Sequence, residues 1–471
     1  MTTIPDHVFR GYDLRGLVDK ELTPENVEVL GRAYATWLLQ RRIYDCVVGY
    51  DCRLSSPAFR DAMVKGLTES GITVFDIGMT LSQIAYFACY YFRTRGMVMI
   101  TASHNPKEYN GFKFGTGYSE TMLTEDIREF RDLTKSGKFV SHAPKGKYIQ
   151  KDIKQEYMED LKRRVDTIGK FKVVVDACAA TAGIYLPDIL RMVGCEVIEQ
   201  NTKPDGNFPV GTPDPTEREV QERLAKRVIA EKADMGFSYD CDGDRIGVVD
   251  ENGSLIWNDT LVSLYAKDIL EFLPGAKIVY NTLCSKQVDD VIRAAGGKPV
   301  MWLTGHSFIK AKVRDEKAPF GGELSGHMYF VDNFYGHDDG AIASLRLLAY
   351  LTRKNQSLKQ AIAELPHYVS SPEIKVGCPD NIKFDVVSQK IGGEMKKLYP
   401  QATYVEIDGV RMDTKDEMLI VRASQNGPYL TVKFEGKTQG AYDVLKKQIS
   451  EILHKVPEIN FSSGVNTKAL E

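Results

Sequence analysis

The chain has 471 residues, 43% apolar and 27% charged, enough for three or four globular domains with ordinary cores. With 61 basic residues against 64 acidic ones, the net charge of −3 argues against a general polyanion binder, so no nucleic-acid partner is expected, though a local basic pocket remains open. No uncharged apolar run approaches about 18 residues, so no membrane span is expected.

Residues 1–6 lack a charged stretch followed by an apolar one, so no signal peptide is expected. The eight cysteines (Cys46, Cys52, Cys89, Cys178, Cys195, Cys241, Cys284 and Cys378) form no C-x-x-C pair, and several sit inside apolar runs. That usage suits reduced thiols in a cytoplasmic protein.

Three segments repeat one pattern. Residues 46–51, a polar turn, a helical stretch and residues 71–78 make the first. Residues 172–176, a small-residue stretch to Gly183, a helical stretch and residues 194–199 make the second. Residues 277–281, a polar turn, a helical stretch and residues 296–302 make the third. Each reads as strand, helix and Gly-initiated strand, a βαβ crossover. After each comes another apolar strand that ends in a polar loop: residues 101–106, 240–245 and 321–327. The inference is three related α/β domains, each contributing one loop.

The first loop follows the apolar run Gly96–Ile100 and is turned by Asn105-Pro106. It puts Ser103 at the C-terminal end of a strand, where open α/β folds keep their chemistry. No base and orienting acid can be assigned to Ser103 from sequence, and the G-x-S-x-G elbow is missing. A phosphoryl carrier is the other reading: it needs cations and donors, which His104, Lys113 and Arg245 could supply.

Residues 135–147 are polar and contain Gly and Pro, which reads as a linker. The second loop is Asp240-Cys241-Asp242-Gly243-Asp244-Arg245. Carboxylates at spacing two face one side of an extended loop, and Gly243 lets the backbone bend. Three hard oxygen donors suit Mg²⁺. A calcium EF-hand is the rival, with Glu251 at its twelfth position. Its sixth position, however, is Arg245 where glycine is needed, and the flanks read as strands. A solvated acidic turn is the blander alternative. Cys241, on the opposite side of the alternation, reads as a packing residue.

The third loop, Gly321-Gly322-Glu323-Leu324-Ser325-Gly326-His327, offers a carboxylate and a hydroxyl for sugar hydroxyls and an imidazole for proton transfer. A Gly-rich turn with incidental polar residues is its alternative. His306 ends a strand-like run and is a further candidate. After a break at residues 364–372, residues 402–407, 418–422 and 429–434 read as strands and 441–454 as an amphipathic helix, an α+β region with an antiparallel sheet. Within it Arg422, Ser424 and Asn426, before Gly427-Pro428, make either an anion cradle or a plain hairpin turn.

Taken in order, the four loops resemble those of the α-D-phosphohexomutase family over nearly the whole chain. The opening Phe9-Arg10-Gly11-Tyr12-Asp13-Leu14-Arg15-Gly16 also resembles that family's N-terminal signature. The resemblance implies an α/β fold: three related α/β domains with mixed sheets plus a C-terminal α+β domain, arranged around a central cleft. The expected boundaries are 1–149, 150–252, 253–365 and 366–471.

It further implies that Ser103 carries a phosphoryl group, that Asp240, Asp242 and Asp244 with a phosphate oxygen on Ser103 bind Mg²⁺, and that Lys113, Arg245 and His327 take part in catalysis. Tyr12, Arg15, His306, Glu323, Ser325, Arg422, Ser424 and Asn426 are implied to bind substrate. Leu324 resembles the phosphomannomutase/phosphoglucomutase type. Two departures stand out: Gln425-Asn426-Gly427-Pro428 lacks the threonine usual before the proline, and Cys241 replaces a more common Pro or Gly.

The implied activity is reversible conversion of hexose 6-phosphate and hexose 1-phosphate, of mannose or glucose, through a hexose 1,6-bisphosphate. The expected partners are small-molecule sugar phosphates, and the expected state is a monomer or weak homo-oligomer. A metal-dependent phosphatase and a catalytically silent sugar-phosphate sensor remain as alternative classes.

Overall fold

Continuous apolar runs become the central strands of the sheets, because parallel strands covered by helices are buried on both faces. Residues 4–424 and 427–471 are described in a computed structural model. They form two units: residues up to 258 together with 325–361, and residues 259–324 together with 362–471.

The first sheet contains β1 (Leu14–Leu17), β2 (Asp45–Tyr50), β3 (Thr73–Met79), β4 (Gly96–Ile100), β5 (Tyr109–Gly117), β6 (Glu120–Thr121) and β7 (Tyr148–Gln150). Its order is β1-β5-β4-β2-β3-β7, with β6 on β5. Strands β4, β2, β3 and β7 run parallel, while β5 runs antiparallel to β4 and β1. The second sheet contains β8 (Lys172–Asp176), β9 (Glu196–Gln200), β10 (Met235–Tyr239), β11 (Ile246–Asp250) and β12 (Leu255–Ile256), in the order β12-β11-β10-β8-β9. Again the hairpin pair β10 and β11 is antiparallel and β10, β8 and β9 are parallel. Both sheets belong to the first unit.

The second unit repeats part of this order. Its β13 (Lys277–Asn281), β14 (Lys298–Trp302) and β15 (Phe320–Gly322) are parallel, with β13 in the middle. Strand β16 (Met328–Phe330) follows in the chain. The repeat read as strand–helix–strand is therefore a repeat of sheet order, and the three polar loops leave the equivalent strands β4, β10 and β15.

The last sheet is antiparallel. It contains β17 (Val369–Ser370), β18 (Ile374–Gly377), β19 (Thr403–Val405), β20 (Val410–Asp413), β21 (Glu417–Ala423), β22 (Tyr429–Gly436) and β23 (Asn460–Val465). Helix Gln439–His454, capped by the Thr438 side chain, lays Leu445, Ile449, Ile452 and Leu453 on it.

Two expectations need correction. Residues 135–147 are not a free linker. The backbone N–H groups of His142 and Gly146 donate to the Ser70 and Thr68 carbonyls, Val140 donates to Thr36 Oγ1, and the chain runs on into β7 beside β3. Strand β7 is exposed throughout, so it has no buried face for a hydrophobic pattern to report. Nor is the 240–245 loop extended: it is a turn in which Gly243 adopts φ +72° and its N–H closes on the Asp240 carbonyl.

Helices Pro24–Gln40 and Ser56–Glu69 pack backbone to backbone. A Cβ on Gly66 would stand 2.4 Å from the Glu28 carbonyl oxygen and 3.0 Å from Gly31 Cα. Gly66→Ala should therefore cost about 1–3 kcal/mol of stability by overpacking, read as a lower urea midpoint.

Candidate active site

Ser103 sits just past the end of β4 in the left-handed region, φ +49°, which is costly for a residue with a Cβ. Neighbouring groups hold it there. Thr101 Oγ1 accepts from Ser103 N at 2.8 Å. Arg53, almost wholly buried and ion-paired to Asp51 at 3.0 Å, donates to the carbonyl oxygens of Ser103, Asn105, Pro106 and Tyr109. Arg15 donates to the Asn105 side chain at 2.8 Å and the Ala102 carbonyl at 3.4 Å. So strained a position persists only where its surroundings over-determine it, and such positions cluster at functional sites.

The Ser103 hydroxyl donates to Asp240 Oδ2 at 2.8 Å and lies 3.1 Å from His104 Nδ1. This brings the serine loop onto the acidic loop. Asp240, Asp242 and Asp244 are fully buried, with carboxylate oxygens within 4.8 Å of one another. Burial first, then the neighbouring Asp244 and Asp242 charges, push Asp240 well above the usual carboxylate range. Lys113, from β5, answers them: its ammonium donates to Asp242 at 2.7 Å, to Asp244, and to Ser82 Oγ at 3.0 Å. Burial works against the Lys113 charge, but Asp242 and Asp244 outweigh it and hold the ammonium firmly protonated.

Arg245 is likewise disfavoured by burial and stabilised by Asp214, Asp240 and Asp244. Its Nε donates to His327 Nε2 at 3.2 Å, and His327 Nδ1 is 3.0 Å from Ser325 Oγ. His327 also stands 3.4 Å from Asp244. Tyr12 is buried close enough for its phenol to influence both Arg15 and Arg245. Ser103, Lys113, Arg245, His327, Ser325, Tyr12, Arg15 and the three aspartates thus lie together in the first unit. Arg15 spends the bonds described above, and an ion pair with Asp13, on the serine loop.

This donor set fits a hard divalent cation. Three carboxylates converge beside a serine hydroxyl, and among the described residues the buried Asp242 Oδ1 has no hydrogen-bond partner.

The remaining candidates lie in the second unit. Glu323 is buried and accepts from Gly305 N at 2.9 Å, at the start of the helix His306–Asp315. His306 is the buried first residue of that helix. Arg422, near the end of β21, donates through Nε to Asp408 at 2.9 Å, and Asp408 also accepts from Thr282 Oγ1 and Thr304 N at 3.0 Å. The Ser424 carbonyl accepts from Lys383 at 2.5 Å. Asn426 lies outside the described residues.

With this geometry in view, comparison with known proteins is decisive. Models for phosphoglucomutase/phosphomannomutase alpha/beta/alpha domains I, II and III match residues 6–141, 155–253 and 257–368. The chain belongs to the phosphoglucomutase/phosphomannomutase family. It is 35% identical to a phosphomannomutase/phosphoglucomutase of Pseudomonas syringae pv. tomato, over 96% of each chain. It is 32% identical to a phosphoglucomutase of Neisseria gonorrhoeae, over 98% of this chain and 99% of that one. A crystal structure of a Burkholderia thailandensis member of the family aligns with a TM-score of 0.88 at 32% identity, covering 96% of this chain and 98% of that one. The chain is a metal-dependent phosphohexomutase, an intramolecular phosphotransferase. Among the described residues no helix is long and apolar enough to cross a membrane.

The structure adds residues that the sequence did not single out. Ser82 and Gln83, at the start of helix Ser82–Phe92, bond Asp242 Oδ2 at 2.6 Å and the Gly243 carbonyl at 2.9 Å. Buried Asp214 lies 4.0 Å from both His104 Nε2 and Arg245 Nη1; burial alone would raise its pKa, and His104 and Arg245 lower it. Asp338 is buried near Asp244 and His327. For Arg53 the local sequence offers only its closeness to Asp51 just past β2, which allows the ion pair but does not report the four carbonyls. Arg53→Lys removes the forked donor that spans four carbonyls. It should lower kcat by between about ten- and a hundredfold with little change in KM, in steady-state assays, because the serine loop is misplaced while the rest of the site stays.

Proposed function

We propose that the enzyme interconverts hexose 6-phosphate and hexose 1-phosphate, with mannose and glucose sugars as substrates. The observation that carries this reading is the hydroxyl of Ser103, a residue with a strained backbone, held 2.8 Å from Asp240, the first carboxylate of a buried acidic loop. A hydroxyl so placed suits a phosphoryl carrier better than a hydrolytic nucleophile. Its neighbours are acids and cations, as phosphoryl transfer needs, and no Asp–His relay dedicated to proton abstraction is required.

In this reading phosphorylated Ser103 gives its phosphoryl group to the C1 or C6 hydroxyl. The P–O bond to serine breaks as the bond to the sugar oxygen forms, and the hydroxyl proton leaves to His327 as site base, since Asp242 and Asp244 hold Lys113 protonated. The resulting hexose 1,6-bisphosphate reorients and returns its other phosphoryl group to Ser103. Lys113 and Arg245 stabilise charge on the transferring group.

Asp240, Asp242, Asp244 and a Ser103 phosphate oxygen would hold Mg²⁺, which supplies Lewis-acid polarisation of the phosphoryl oxygens when bound. Glu323 and Ser325 grip sugar hydroxyls, with His306, Tyr12 and Arg15 as further substrate contacts. Arg422, Ser424 and Asn426 bind the phosphate that is not reacting, so that its binding energy positions the reacting end. The divisions 1–149, 150–252, 253–365 and 366–471 then each contribute one loop. The eight free, buried cysteines favour a reducing cytoplasm.

Ser103→Ala should lower kcat by more than about a thousandfold while substrate binding by calorimetry persists, and the roughly 80 Da increment expected on the active wild type by intact mass should vanish. Arg422→Ala should instead raise KM about ten- to a hundredfold, the cost of a lost charge-assisted bond to phosphate. Chelation with EDTA should abolish turnover and added Mg²⁺ restore it, with Asp242→Asn needing more Mg²⁺ for half-maximal rate.

A further inference from the structure

Cys241 stands between two of the clustered aspartates, yet its side chain faces away from them. Its sulfur lies 3.9 Å from that of Cys52. The two thiols share a small apolar pocket with Ala180, Phe208 and Met79. Polar contacts hold both loops in place: Cys52 N donates to Thr181 Oγ1 at 2.8 Å, Thr181 Oγ1 is 3.9 Å from the Cys241 sulfur, and Cys241 donates to Asp51 Oδ2 at 3.5 Å. Each cysteine lies in a loop, after β2 and after β10, where a backbone shift does not have to unwind a helix or break a strand pair.

We propose that Cys52 and Cys241 form an oxidation site, closed into a disulfide by a peroxide and reopened by a dithiol. Cys52 is 7% exposed and Cys241 fully buried, so Cys52 meets the oxidant first. Its sulfur attacks one peroxide oxygen, giving a sulfenic acid and releasing water. Cys241 then attacks that sulfur, releasing a second water and forming the S–S bond. Two thiols lose two protons and two electrons, and one hydrogen peroxide becomes two waters.

The bond draws the sulfurs together by about 1.8 Å, to the normal disulfide length near 2.05 Å. On one side this pulls Cys241 and with it the adjoining Asp240 and Asp242. On the other it pulls Cys52, whose neighbours Asp51 and Arg53 hold the Ser103 loop. Both halves of the phosphoryl-transfer site are displaced by one covalent event, so activity falls. That consequence rests on the active-site reading above; the disulfide itself does not.

The test treats the reduced full-length enzyme with hydrogen peroxide, measures mutase rate, and maps non-reduced tryptic peptides. The expected result is a linked Cys52–Cys241 peptide, about 2 Da lighter than its two parts, whose yield tracks an activity loss of at least tenfold that dithiothreitol reverses. Cys52→Ser and Cys52→Ala, checked for folding by thermal melt, should keep their untreated activity and resist the treatment. Absence of the linked peptide while other thiols oxidise would overturn the proposal. So would full linkage with unchanged rate, or equal inactivation of folded Cys52 variants. If linkage inactivates the enzyme but Ser103→Ala remains active, the disulfide stands and the serine assignment falls.

Discussion

Three carboxylates buried within one turn of chain repel one another, and the site's architecture answers that repulsion. Water cannot screen Asp240, Asp242 and Asp244, so partners must come from the protein. Lys113 arrives from β5, Ser82 and Gln83 from the start of helix Ser82–Phe92, and Arg245 from the end of the acidic turn itself. Even the backbone joins in: Ser82 N donates to the Asp242 carbonyl and Gly340 N to the Gly243 carbonyl. The acidic turn is therefore one point at which the first and second sheets are tied together. A carboxylate cluster left short of positive charge is also a site prepared for a divalent cation.

The cations divide into two groups by what they touch. Arg53 and Arg15 are occupied by backbone carbonyls and structural carboxylates, so their charge is used to keep Ser103 in an unfavourable conformation. Lys113 and Arg245 face the acids instead. In the second unit Asp408 has a comparable supporting role. It gathers Thr282, Thr304 and Arg422 on one carboxylate and so fixes the direction of the guanidinium. Holding groups in place before the reaction is how an enzyme of this kind avoids reorganisation during it.

Much of the fold was legible because burial leaves a period. The runs at 96–100, 172–176 and 277–281 are strands as read, and the amphipathic stretch at 441–454 falls within the helix Gln439–His454. The elements that escaped are those without a strong pattern. Strand β7 has no buried residue, β20 is four residues long and contains the buried Arg411, and β23 alternates only weakly. The acidic loop was read as extended because aspartates at spacing two would then share a face; instead Gly243 in the left-handed region turns the chain and brings the carboxylates together.

From sequence alone came the chemistry on offer and its order along the chain: a serine after one strand, an acidic turn after the equivalent strand of the next repeat, a Glu-x-Ser-Gly-His loop after the third. These are local properties, written in residue type, spacing and turn chemistry. Which groups meet was decided by tertiary structure, because the pairing of Ser103 with Asp240, of Lys113 with Asp242, and of Cys52 with Cys241 spans more than a hundred residues each and depends on sheet order. The assignment of Arg53 as a holder of the serine loop belongs there too, since nothing in a short window of sequence tells a guanidinium that binds four carbonyls from one that faces solvent.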